Sequence, residues 1–190
     1  QNHPKLETAV QAEQLGTGHA VKVALDALGK VSGPVLILAG DTPLLTTDDM
    51  QNTILGLSGN AATVLTAHLA DPTGYGRIVR DSNRGLDKIV EHKDATAEQL
   101  AITEVNSGVY AFDADLLRTA LENLATDNSQ GEQYLTDVLG ILRSQGHSVT
   151  AVVTTEENIL GVNDRVQLAE SAALLRDRIN EGFMRAGVTI

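Results

Sequence analysis

The sequence contains no cysteine, which excludes a disulfide framework, a thiol nucleophile and thiolate-ligated zinc. Basic residues are scarce. Lys and Arg number 14 against 25 Asp and Glu, for a net charge of -11. That balance argues against nucleic acid or an anionic membrane as partner, because binding to either depends on clustered positive charge. A phosphorylated small molecule fits only if a metal supplies the missing charge. No stretch approaches the ~20 apolar residues of a membrane helix, and a soluble, cytoplasmic protein is expected. The five histidines show no paired metal-ligand spacing, and GxSxG, Walker A and HExxH are all missing. Serine hydrolase, P-loop ATPase and zinc protease chemistry therefore have no local support. Internal repeats, low-complexity segments and linkers are absent too.

What the chain does have is a sharp central feature, VLILAGDTPLL at residues 35–45. The apolar run Val35, Leu36, Ile37, Leu38 and Ala39 predicts a central strand buried on both faces. Gly40 turns the backbone, Asp41 sets a carboxylate just past the strand's carboxyl end, and Pro43 stops the ladder. In open α/β sheets that edge is where ligands sit.

At 190 residues the chain suffices for one α/β domain, which buries roughly 70% of its unfolded surface. Residues 9–12 are expected to finish a strand, followed by a flexible turn at 14–18. A helix carrying Ala20, Val21, Ala24, Leu25 and Leu28 then runs to Gly29. Thr46, Thr47, Asp48 and Asp49 are N-cap formers for a short helix with Met50, Ile54 and Leu57 on its apolar face, and residues 61–67 suit another strand. This alternation predicts a largely parallel sheet. Residues 74–80 and 86–90 read as a hairpin around the turn 81–85, and 105–112 as a strand, an antiparallel excursion that forms one wall of a pocket. Helices at 114–124 and 134–144 flank a polar loop, and 149–153 is a late edge strand. The closing helix carries an apolar stripe of Leu168, Ala172, Leu175, Ile179 and Phe183, with Arg165, Arg176, Asp177, Arg178 and Glu181 on its wet side.

Each candidate site residue admits a plain structural explanation as well as a chemical one. Gln11 offers a donor and an acceptor, as the imide edge of uracil or thymine demands, and Gly16, Thr17 and Gly18 would let backbone approach a base or phosphate. An ordinary glycine turn before a helix explains the same residues. Asp41 suits a hard cation, since magnesium commonly takes one or two protein oxygens and fills its shell with phosphate and water. It equally suits an Asx-turn at the 40–43 corner. Asn163 is a second possible metal ligand, or the N-cap of the last helix. Gly76, Glu91 and Asn106 could meet sugar hydroxyls, or be a turn glycine, a solvated charge and a strand-edge amide.

Taken together, QAEQLGTGHA (11–20), GDTPLL (40–45), PTGYGRIVR (72–80), IVEHKDAT (89–96), EVNSGVYAFD (104–113), QGEQYLTDV (130–138) and GVNDRVQLAE (161–170) form an ordered series over nearly the whole chain. The series closely resembles the uridylyltransferase domain of the bifunctional GlmU family, the N-acetylglucosamine-1-phosphate uridyltransferases and glucosamine-1-phosphate acetyltransferases. The resemblance implies an α/β, Rossmann-like mixed sheet of the sugar nucleotidyltransferase type. It implies that Gln11, Gly16 and Thr17 contact uracil, that Asp41 and Asn163 hold Mg2+, and that Gly76, Glu91 and Asn106 bind the N-acetylglucosamine part. The implied substrates are UTP and N-acetylglucosamine-1-phosphate, the implied product UDP-N-acetylglucosamine, a cell-wall peptidoglycan precursor.

The chain departs from the family pattern in three ways. Ala39 stands where some relatives have tyrosine, and Asp164 where a second asparagine is common, bringing a negative charge near the metal. The glycine-rich LxxGxGTxM...PK segment that handles the triphosphate is not seen before Gln11, and no acetyltransferase β-helix, through which family members form homotrimers, follows Ile190. The expectation is an N-terminally truncated uridylyltransferase domain, catalytically incomplete alone. The rivals are a related sugar-1-phosphate nucleotidyltransferase and a non-catalytic sugar-nucleotide-binding module.

Overall fold

The computed structural model describes residues 6–190. In chain order the elements are α1 (Thr17–Leu28), β1 (Pro34–Ile37), α2 (Thr47–Leu55), β2 (Ala62–His68), β3 (Arg77–Arg80), β4 (Leu86–Val90), α3 (Ala97–Leu100), β5 (Glu104–Asp113), α4 (Ala114–Leu121), α5 (Asp137–Ser144), β6 (Val149–Thr154) and α6 (Arg165–Arg185). Short 3-10 turns at His92–Asp94 and Glu156–Ile159 complete the list.

The sheet runs β4-β3-β5-β2-β6, with β1 also paired to β5. The ten-residue β5 is its axis. β2 lies antiparallel along one side of it, while β1 takes the opposite side near Tyr110–Asp113 and β3 takes that side at Val105. β6 pairs parallel to β2 at the edge, where the late strand was expected. The largely parallel sheet predicted by the strand–helix alternation alone is therefore corrected to the mixed sheet that the resemblance implies. β1 and β2 do point the same way, but the chain returns through the β3–β4 hairpin and inserts β5 between them with opposite polarity.

Alternation along β2 sorts the core into two layers. Ala62 and Val64 face Phe112, Leu117, Leu121, Val138, Leu139 and Leu142, so α1, α4 and α5 cover that face. Leu65 and Ala67 face Val105, Val109 and Ile159 on the other. α2 packs over this second face, and its start is fixed by a reciprocal capping box between Thr46 and Asp49. Thr154 Oγ1 and Asn158 Nδ2 also donate to the Asp49 carboxylate, tying the helix to β6 and the turn after it.

Several local expectations change. The strand at 35–39 is neither central nor buried on both faces: its ladder ends at Ile37, Val35 to Ile37 are half-buried, and Leu38 is 45% exposed. Among the described residues β5 is its single pairing partner, which leaves the other edge open. Residues 9–12 join no ladder. α4 stops at Leu121, and α5 starts at Asp137, after a turn that buries Tyr134, Leu135 and Thr136. The apolar stripe of α6 faces solvent, from 39% exposure at Leu175 to 54% at Leu168. This helix docks by its polar side instead: Ser171 is buried, and Arg178, expected on the wet face, donates to Leu44 O, Glu157 and Asn158.

Candidate functional site

Just past β1, the corner at Ala39, Asp41 and Thr42 meets Thr73 to Gly76, Asn106 to Gly108 and the segment from Ile159 to Ser171 around a cleft of about 500 Å3. The join is made by backbone: Val162 N–H donates to Asp41 O at 2.8 Å, which sets Asn163 on the same cleft as Asp41. Thr42 Oγ1 shapes the corner by donating to Ala39 O at 3.2 Å. No hydrogen bond among the described residues engages the Asp41 carboxylate, so an Asx-turn does not account for it.

The N-cap explanation of Asn163 is likewise corrected. Asp164 caps α6, its Oδ1 accepting from Gln167 N–H at 2.8 Å, while Gln167 Oε1 accepts from Asn163 N–H at 2.7 Å. Asp164's carboxylate is thus committed to the helix, and the Asn163 side chain stays free of it. Two hard oxygen donors, one carboxylate and one amide, share one cleft with open valences, a set that suits magnesium. No trio of His, Cys, Asp or Glu among the described residues forms a metal cluster, so a cation here would draw the rest of its shell from ligand and water.

A second chamber of about 280 Å3 adjoins the first and shares Ala39, Asn106 and Gly108 with it. Thr17, Ala20, Val21, Ile37, Leu38, Glu91, Tyr110, Leu135 and Thr136 complete its lining. Asn106 N–H donates to Gly76 O at 2.9 Å, and its Oδ1 accepts from Gly108 N–H at 3.0 Å, which holds β5 against the β3–β4 hairpin where the chambers meet. Glu91 accepts from Thr136 Oγ1 at 3.1 Å. Burial pushes its carboxyl above the ordinary range; the Thr136 bond opposes this, and the negative charges of Asp137 and Asp94 add to it. Gly76 is closely packed: a Cβ there would lie 3.0 Å from Ile89 Cγ2 and 3.4 Å from Glu91 Oε2.

Gln11 and Gly16 lie beside the start of α1 but line neither chamber; Thr17 lines the second. Gln11 Nε2 donates to Gly16 O and approaches His19 Nδ1, both at 3.0 Å. Gly16 has φ 112°, and a Cβ there would come within 2.6 Å of Gln133 O. Gly18 N–H donates to that same Gln133 O, and Thr17 Oγ1 accepts from Leu135 N–H at 3.0 Å. The glycine turn is thus braced against the 133–136 segment. Sequence reasoning on single residues missed Thr136 and Gln133, which act through contacts distant in the chain, and Gln167, which acts on Asn163 and Asp164 one helical turn away; the QGEQYLTDV and GVNDRVQLAE stretches were the signals that contained them. Among the described residues neither chamber's lining includes Lys or Arg.

A family model described as nucleotidyl transferase matches residues 1–159. The chain belongs to the nucleotidyl transferase family. Among curated relatives it is 55% identical to the bifunctional protein GlmU of Streptomyces coelicolor, over 98% of this chain and 40% of that protein. It is 54% identical to GlmU of Clostridium beijerinckii, over 96% of this chain and 40% of that one, and 50% identical to GlmU of Shouchella clausii, over 98% and 42%. The chain thus spans about 40% of the length of these relatives. A solved structure described as a nucleoside-diphosphate-sugar pyrophosphorylase from Vibrio cholerae RC9 superposes with a TM-score of 0.65 at 11% identity, covering 85% of this chain and 66% of that one. This nucleotidyl transferase chain shares that protein's α/β mixed-sheet fold. No helix among the described residues is long and apolar enough to cross a membrane.

Proposed function

We propose that this chain is the uridylyltransferase part of a cytoplasmic enzyme that forms UDP-N-acetylglucosamine and pyrophosphate from UTP and N-acetylglucosamine-1-phosphate. The observation that carries the reading is the pairing of two chambers: one offering the free oxygens of Asp41 and Asn163, the other polar groups at Glu91, Asn106 and Thr136 beside apolar Leu38, Tyr110 and Leu135. Identity of 55% to a GlmU protein supports it. The homotrimer expected of the longer protein rests on the same resemblance.

In this reading a phosphate oxygen of the sugar phosphate attacks the α-phosphorus of UTP in line and pyrophosphate leaves. The attacking group is already ionised, so no general base is required, and positioning dominates. Asp41 and Asn163 would hold magnesium, which supplies charge compensation between the two anions. Gly76 main chain, Glu91 and Asn106 orient the sugar hydroxyls, while uracil is assigned to the α1 side, to Thr17 of the second chamber and to Gln11 and Gly16 beside it.

Calorimetric titration of UDP-N-acetylglucosamine with and without magnesium tests the proposal. Affinity should rise with the metal in the wild type, and Asp41→Ala should abolish that rise; an unchanged metal dependence refutes the Asp41 assignment. Parallel titration with UDP-glucose decides the sugar class. The absence of Lys and Arg among the described residues of both linings favours, as a second reading, a sugar-nucleotide-binding module without turnover. Release of pyrophosphate from UTP and the sugar phosphate by the chain would exclude it.

A further inference from the structure

Arg77 begins β3 and is 2% exposed, yet among the described residues no carboxylate lies within ion-pair distance of it. Among the described residues its Nε has no hydrogen-bond partner. Burying a cation without a counter-ion is unfavourable, and an apolar residue of similar length would serve the core better. The guanidinium is instead spent on two neighbours. Nη1 donates to Tyr75 O, and Nη2 lies 3.4 Å from His92 Nδ1. The same His92 nitrogen accepts from Gly74 N–H at 3.3 Å, which places the ring proton on Nε2 and leaves Nδ1 as the shared acceptor. Burial pulls the guanidinium below its ordinary value, and the distant Asp71 offsets this only in part.

The position of this cluster gives it meaning. Arg77 pairs with Val90 in the ladder, so Gly76 and Glu91 come next along the hairpin, with Tyr75 and His92 beyond them. Next to that pair, the Glu91 carboxylate sits at contact distance from Gly76, while the Arg77 guanidinium reaches Tyr75 and His92. Thr73, Gly74, Tyr75 and Gly76 form a wall of the larger cleft, and Glu91 lines the smaller chamber. The segment before Gly76 is a loop, tied down on its own side by Tyr75 N–H to Pro72 O at 3.2 Å and Thr73 N–H to Asp71 Oδ1 at 3.1 Å.

We infer that Arg77 and His92 are positioning residues, a clip that fixes the 73–76 loop to the Glu91 segment and so sets how the Gly76 main chain and the adjacent Glu91 carboxylate are presented together to the bound sugar. The inference rests on the sugar assignment made above for Gly76 and Glu91. It goes beyond that assignment because neither Arg77 nor His92 lines either chamber. A clip of this kind acts on the sugar half of a nucleotide sugar and not on the uridine half, which is assigned to the α1 side.

The test compares two probes on the 190-residue chain by calorimetry, UDP-N-acetylglucosamine and uridine monophosphate. Arg77→Met and His92→Leu should each weaken the nucleotide sugar about tenfold, the scale of one lost hydrogen bond to a charged group. Uridine monophosphate affinity should stay within about twofold. His92→Asn, whose Oδ1 can replace the Nδ1 acceptor, should restore most of the nucleotide-sugar affinity. Should Arg77→Met fail to fold, the two His92 variants decide alone, since His92 is half-buried at a hairpin end. Variants that bind both probes like the wild type overturn the clip, and so does an equal loss for both probes, which marks plain scaffold damage. A wild type that holds both probes alike overturns the sugar reading and the clip with it; a wild type that discriminates, with variants that discriminate equally, overturns the clip alone.

Discussion

Two glutamates on the same sheet live under opposite electrostatics. Glu104, the first residue of β5, accepts Arg80 Nε at 2.7 Å and Nη2 at 2.6 Å in a bidentate fork, and Thr66 Oγ1 at 2.8 Å. Burial works against its ionised form, but the Arg80 and Thr66 bonds outweigh it and hold the carboxyl below the ordinary range. Glu91, just past β4, has one hydroxyl donor and two carboxylates for neighbours, and burial moves it the other way. Glu104 is finished: its lone pairs are used and it joins β2, β3 and β5. Glu91 is unfinished, with acceptor capacity facing a chamber, which is what a group awaiting a ligand's hydroxyls looks like.

The largest effect should come from breaking the finished pair. Arg80→Met leaves Glu104 buried without its cation, and stability should fall by about 2 kcal/mol, below the cost for a wholly buried pair because roughly a third of Arg80 is exposed. Urea unfolding at neutral pH reads this as a lower midpoint at unchanged slope. A midpoint equal to wild type would show that the fork contributes nothing. Glu91→Gln should do the reverse: stability unchanged or raised by up to about 1 kcal/mol, because a poorly compensated charge is removed, with affinity for UDP-N-acetylglucosamine falling about tenfold. Loss of stability without loss of affinity would make Glu91 a scaffold group like Glu104.

The pH dependence separates the two with opposite signs. Glu104 has a depressed folded pKa, so its contribution is present above the ordinary value of 4.5 and is lost as pH falls through the folded one. Glu91 has a raised folded pKa, so its contribution is present below 4.5 and is lost as pH rises through the folded one. Between 4.5 and the raised value, Glu91→Gln should therefore gain on the wild type as pH increases, and urea midpoints measured across pH 4 to 8 should diverge upward. Parallel curves over that window would contradict the assigned shift.

The same contrast explains what the sequence made legible. Local chemistry announced the elements: the Thr46 and Asp49 capping box, Gly29 at the end of α1, and the 81–85 turn of the hairpin all act within a few residues of themselves. Sheet order was not local. The polarity of β5 between β1 and β2 depends on where the hairpin returns, and no pattern inside residues 104–113 states it. The α6 stripe misled because helical spacing reports a face and not its cover; Arg178 chose the docked side, where Ser171 is buried, through bonds to Leu44 O, 134 positions away, and to the 157–158 turn. For the site, Asp41 was visible as a carboxylate at a strand end, but its freedom from an Asx-turn required the Thr42 bond to be seen, and Asn163's freedom required Asp164 as the cap. Glu91 was indistinguishable from a solvated charge in EHKD until Thr136, 45 residues on, was placed against it.

That single hydroxyl yields the smallest and most discriminating change. Thr136 is buried, and valine matches its shape while deleting the donor. In Thr136→Val the Glu91 carboxylate keeps its burial and its acidic neighbours but loses the one side-chain bond that favours its ionised form, so its folded pKa must move still higher. The cost appears only where Glu91 is ionised: about 1 kcal/mol at neutral pH, shrinking as pH drops through the shifted value. Thr136→Ser keeps the hydroxyl and should track the wild type at every pH. Combining Thr136→Val with Glu91→Gln should remove the pH dependence of the loss, because the amide carries no charge for the missing donor to stabilise. A pH-independent loss in Thr136→Val alone would instead assign the hydroxyl to packing and return Glu91 to the same class as Glu104.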